Sequence, residues 1–79
     1  MLEKTIMLSQ FDDVKKFVDI AASKDYDVEL LSGKYIVNAK SIMGVFSLDL
    51  TKPITVRAHC ETSGELLKQI SPFLFDNNK

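Results

Sequence analysis

The dipeptide Ser32-Gly33 stands between two stretches that change character at every residue. Before it, in YDVELL, Tyr26, Val28 and Leu30 alternate with Asp27 and Glu29. After it, KYIVNA carries Tyr35, Val37 and Ala39 on one side. A period of two places successive side chains on opposite faces of a strand, and glycine accepts the positive φ that a tight hairpin turn demands. Strands joined by so short a turn pair antiparallel. The segment therefore predicts an antiparallel sheet with one apolar face that other elements must cover.

The rest of the chain supplies two more strands and the cover. EKTIML, residues 3–8, puts Ile6 and Leu8 on one face. PITVRAHC, opened by Pro53, places Ile54, Val56, Ala58 and Cys60 inward and Thr55, Arg57 and His59 outward. In SQFDDVKKFVDIAASK, Val14, Phe17, Val18 and Ala21 repeat at helical spacing and predict an amphipathic helix of about four turns. Ser9 is its expected cap, with Asp12 and Asp13 in the first turn, where carboxylates complement the positive end of the helix. SIMGVFSL predicts a second, short helix. Thr62 and Glu65 have capping-box spacing before LLKQISPFLF, whose Leu66, Leu67, Ile70 and Phe73 form an apolar stripe. Pro72 should kink or shorten this last helix, and Asp76 to Lys79 should fray. The order β-α-β-β-α-β-α predicts an α+β open-faced sandwich, a four-stranded antiparallel sheet with helices on one face. Ferredoxin-like domains share this pattern, so it assigns no function by itself.

At 79 residues the chain is expected to form a single domain, residues 1–79. A domain of this size buries only about 60% of the surface its unfolded chain exposes. Cys60 is the only cysteine, so a core drawn from the 46% hydrophobic residues must stabilise the fold without disulfides. A lone thiol fits a reducing compartment. The start, MLEKTIMLSQ, does not read as a secretion signal, and no segment approaches the roughly 20 apolar residues that span a bilayer. A cytoplasmic protein is expected. Ten basic and eleven acidic residues leave a net charge of −1, and only Lys15 and Lys16 adjoin. That distribution argues against nucleic acid and against an anionic membrane as partners.

Little in the chain points to catalysis. His59 and Cys60 are consecutive in a strand and face opposite ways, which disfavours a shared metal or a dyad. Cys60 reads as a small core residue and His59 as a surface one. Asp12 and Asp13 are explained by the helix start they occupy. No phosphate loop, metal cluster or Ser/His/Asp set is visible, so no cofactor, no metal and no enzymatic activity are expected. KSIMGVFSLDL is different. Ser41 is a suitable N-cap, yet Ile42, Met43, Val45, Phe46 and Leu48 are all apolar, more than one face of a short helix can bury. Val45 and Leu48 suit the core. Ile42, Met43 and Phe46 then form a partly exposed docking patch, unless the helix is buried on two sides.

At these residues the chain resembles a known family. VNAKSIMGVFSLDL, Val37 to Leu50, closely resembles the regulatory-serine segment of HPr, the phosphocarrier of the bacterial phosphoenolpyruvate-dependent sugar phosphotransferase system, and Phe17-Val18 falls on that family's FV pair. The resemblance implies an HPr-like fold across the whole chain, with three helices on one face of the sheet. It also implies that Ser41 is a candidate for phosphorylation by an HPr kinase, and that Ile42, Met43 and Phe46 contact a transcription repressor or phosphotransferase components. A monomer is expected. The family's GLHxRP-type phosphohistidine motif falls on MLSQFDD. Gln10 takes the histidine position, Asp12 the arginine and Asp13 the proline. An amide cannot carry phosphate as imidazole does, which makes Gln10 non-functional in that role. The Crh branch of the family also has glutamine there and acts through its serine, but it keeps the arginine that Asp12 replaces. Two functions stay open. One is a regulatory interaction protein switched at Ser41, with a role in carbon catabolite regulation; the other is an unregulated adaptor or decoy in which Ser41 is only a cap. Acyl-phosphate formation on Asp12 or Asp13 is a more distant third.

Overall fold

The sheet is organised around a strand whose composition suits burial on one side only. In β4 (Ile54–Ala58), Ile54, Val56 and Ala58 are buried while Thr55 and Arg57 are half-exposed. The computed structural model describes residues 1–60 and 64–75. In chain order it contains β1 (Leu2–Ile6), α1 (Phe11–Ala22), β2 (Val28–Ser32), β3 (Tyr35–Asn38), α2 (Ile42–Phe46), β4 and α3 (Gly64–Ile70), then a 3-10 turn over Ser71–Phe73. The strands form one sheet in the order β1-β4-β2-β3, and every neighbouring pair is antiparallel. Ile54 pairs with Ile6 of β1, and Val56 lies between Lys4 of β1 and Leu30 of β2.

Helices cover one face. Phe17 from α1, Val45 from α2, and Leu66 and Ile70 from α3 are buried in a common core with Ile6, Leu30 and Val56. Burying one such side chain stabilises by about 1.5–3 kcal/mol, so a core of this kind can hold a chain that lacks disulfides. On the solvated face, Arg57 donates to Glu3 at 2.7 Å and lies 3.9 Å from Glu29, which contacts His59 at 3.1 Å. The predicted α+β sandwich, with its order of elements, is the observed one.

Several local expectations need correction. Ser32 pairs with Tyr35, so the two turn residues are Gly33 and Lys34; Gly33 takes φ 60°, the left-handed conformation glycine tolerates without cost. Tyr35, expected inward, is 71% exposed. It lies at the turn end of an edge strand, where the five-residue α2 does not reach, and only Val37 and Ala39 further along are covered. The N-cap of α1 is Gln10, not Ser9, whose hydroxyl instead donates to the Asp13 carboxylate at 3.4 Å. Cys60 is partly buried rather than core; burial, and after it the Cys60 thiol, pushes the Tyr26 phenol above its ordinary pKa. Leu67 is half-exposed beside the buried Leu66 and Ile70. Pro72 does shorten the last helix: α3 stops at Ile70 and the proline sits in the 3-10 turn. Thr62 of the capping box and the tail Asp76 to Lys79 lie outside the described residues.

Candidate functional site

The sequence around Ser41 builds its own local frame. Asn38 ends β3 and turns the chain: its side chain accepts from the Lys40 N–H at 2.9 Å and its carbonyl from the Ser41 N–H at 3.0 Å. Ser41 then has extended backbone (φ −105°, ψ 110°), and its Oγ accepts from the Gly44 N–H at 3.3 Å. This is the N-cap expected from the sequence, satisfying a donor that the first helical turn leaves free. The Val45 N–H closes the turn on the Ser41 carbonyl at 3.0 Å.

With only five residues, α2 buries little. Val45 is fully buried and Leu48 just beyond it nearly so, as their spacing implies. Ile42 is half-buried against the core, Met43 is 78% exposed and Phe46 is 37% exposed. Burial of the helix on two sides is therefore excluded, and the patch is graded: Ile42 anchors it while Met43 and Phe46 face outward.

One further residue belongs to this surface and was not foreseen. Phe11, the first residue of α1, stacks on Phe46 with ring centroids 5.3 Å apart and planes at 14°, and it is 60% exposed. Such a stack contributes about 0.5–1.5 kcal/mol beyond area burial. The Lys15 Nζ lies 5.6 Å from the Phe11 ring centroid, within cation–π range. The signal was in the sequence: Phe11 lies three residues before Val14 and seven before Val18, which puts it at the edge of the apolar stripe of α1.

Beside the stack is the front of α1. Gln10 is extended (φ −132°, ψ 158°) and makes no side-chain capping bond, while Asp12 is exposed and Asp13 half-exposed in the first turn. The fold thus brings Gln10, through its neighbour Phe11, to the surface that holds Met43 and Phe46. His59 is elsewhere, on the solvated face of the sheet with Glu29 and Arg57, away from the helix layer. Among the described residues no group of three or more His, Cys, Asp or Glu side chains is placed to hold a metal. No helix among them is long and apolar enough to cross a membrane.

Comparisons with known proteins agree on one family. The model described as "PTS HPr component phosphorylation site" matches residues 13–75, a span that begins just after Asp12. The chain is similar to HPr-C-His from Thermoanaerobacter tengcongensis, with 25% identity, 91% of this chain and 89% of the other covered, and a TM-score of 0.75. It is also similar to the phosphocarrier protein HPr from Bacillus anthracis str. Ames, with 25% identity, coverage of 94% and 96%, and a TM-score of 0.70. No curated protein sequence is significantly similar to the chain.

Proposed function

The chain belongs to the HPr family of the sugar phosphotransferase system, whose HPr proteins are phosphocarriers and not catalysts, and on that footing we propose that it is a non-catalytic regulatory interaction protein. It recognises other proteins through Met43, Phe46 and Ile42, joined by Phe11, and it does not relay phosphate. The observation that carries this reading is the exposed Met43 and the Phe11–Phe46 stack beside a capped serine. Apolar side chains held outward on a short helix are costly unless something covers them.

Gln10 occupies the position that carries the phosphohistidine in the family. Its amide offers no nucleophilic nitrogen, and Asp12 and Asp13 place negative charge where an incoming phosphoryl dianion would need donors. Regulation falls to Ser41. Phosphorylation there adds about −1.5 to −2 charges at the edge of the apolar patch, an anchor for a basic residue on the partner. The candidate partners are an HPr kinase and a transcription repressor or phosphotransferase component, met in the cytoplasm by a monomer. Incubation with an HPr kinase and ATP, read by intact mass, is expected to add one phosphate to wild type and none to Ser41→Ala. Absence of the phosphate on wild type would end the regulatory reading.

A specific observation favours a second reading, that of an unregulated adaptor or decoy. The Ser41 hydroxyl is already engaged by the Gly44 N–H, which gives the serine a purely structural use. On that reading Ser41→Ala leaves binding to phosphotransferase components intact while Met43→Asp abolishes it. Equal binding by Met43→Asp and wild type would sink both.

A further inference from the structure

The described end of the chain folds back on its beginning. Beyond α3, the Phe73 carbonyl accepts from the Met7 N–H at 2.8 Å, the Phe75 N–H donates to the Thr5 carbonyl at 2.9 Å, and Leu74 forms a bridge with Ile6. The Phe73 ring, 7% exposed, meets Phe17 of α1 edge-on, with centroids 6.2 Å apart and planes at 85°. The segment Ser71–Phe75 therefore holds the chain on both sides of the start of α1, by backbone at Thr5–Met7 and by an aromatic contact at Phe17 in the middle of the helix.

What lies between those grips is the start of α1. Gln10 gives the helix no side-chain cap, so local chemistry fixes its first turn only weakly. The turn closes through the Val14 N–H on the Gln10 carbonyl, a long bond at 3.2 Å, and it carries Phe11, half of the Phe11–Phe46 stack. We propose that Ser71–Phe75 is a clasp that seats the first turn of α1, and through it the Phe11–Phe46 stack, so that its release at Phe75 loosens that face. The clasp is a property of this chain alone and holds whichever partner the face meets.

Two variants separate the backbone from the side chain. Phe75→Pro deletes the N–H that Thr5 accepts, and Leu74 already has the backbone (φ −61°, ψ 133°) that a following proline requires. Phe75→Ala keeps the N–H. On full-length labelled protein, Phe75→Pro is expected to speed amide exchange at Met7 and Val14 by about tenfold or more, while Phe75→Ala leaves it unchanged. Nuclear Overhauser contacts between the Phe11 and Phe46 rings should weaken in the proline variant only. Undisturbed exchange at Val14 with intact ring contacts in Phe75→Pro would overturn the clasp. If that variant fails to fold, exchange in wild type decides: the amides of Met7, Phe75 and Val14 should open together, more readily than those of Leu30 and Val56 in the sheet. Val14 opening only with the sheet would overturn it equally.

Discussion

Ser41 serves the fold as a helix cap, and its proposed phosphorylation would use the same hydroxyl. Its hydroxyl satisfies the Gly44 amide, and loss of such a cap costs about 1 kcal/mol. Ser41→Ala should therefore lower the free energy of unfolding by that amount, seen as a lower urea midpoint with an unchanged slope, because the surface exposed on unfolding is the same. A loss near zero would mean that the cap bond contributes nothing. Gln10 poses the complementary problem. Introducing an imidazole with Gln10→His leaves Asp12 and Asp13 in the same turn. Each carboxylate repels a phosphoryl group a few Å away by roughly a few kcal/mol at an effective dielectric near 20. Gln10→His should accept phosphate from the upstream phosphotransferase far more slowly than the same variant carrying Asp12→Asn and Asp13→Asn, as followed by intact mass; equal rates would show that the carboxylates do not matter. Residue identity alone marked Ser41, Met43 and Phe46 as a cluster. For Phe11 the helical spacing gives an apolar edge position, but spacing within one helix cannot say that its ring meets Phe46 of a neighbouring helix instead of the core.

At the scale of elements, the middle of each strand and helix was legible and the ends were not. β4 alternates without a break, and α1 repeats its apolar positions from Val14 to Ala21, so burial forces one orientation on each. Ends depend on single hydrogen bonds. A shift of one residue separates Ser9 from the actual cap Gln10, and Ser32-Gly33 from the actual turn Gly33-Lys34. Tyr26 shows how an element boundary acquires a pH dependence. It lies just before β2 rather than within it, half-buried beside Cys60, and burial first, then the thiol, raises its phenol pKa. The neutral phenol is the form the fold favours. Its contribution is fully present below the ordinary value of 10.0 and is lost as pH rises through the higher folded value. Tyr26→Phe should flatten the fall in stability in that alkaline window and leave the neutral range alone. A parallel fall in both proteins would show that other groups cause it.

The whole molecule shows why fold and chemistry can part company. A core that includes Phe17, Ile6, Leu30, Val56 and Ile70 is specified by apolar spacing, and the fold it supports matches known HPr structures at 25% identity. The front of α1 faces solvent and answers to no such constraint, so Gln10, Asp12 and Asp13 can stand there without disturbing the sandwich. Phe17 joins α1 to the terminal turn, since it lies fully buried in α1 and packs on Phe73 of that turn. Its replacement by alanine should cost about 3–5 kcal/mol, a large share of the total stability of a domain this small. Phe17→Ala should be largely unfolded by circular dichroism at 25 °C, whereas a cooperative melt near that of wild type would mean that the Phe17 ring contributes little to the core. Recognition without relay is most directly tested on the wild-type protein. It is incubated with phosphoenolpyruvate and the first phosphotransferase of the sugar system, alongside an HPr that accepts phosphate, and both are read by intact mass and peptide mapping. The expected result is no added phosphate on this chain while the reference carrier is fully labelled; a phosphate mapped to any residue from Met7 to Asp13 would contradict it.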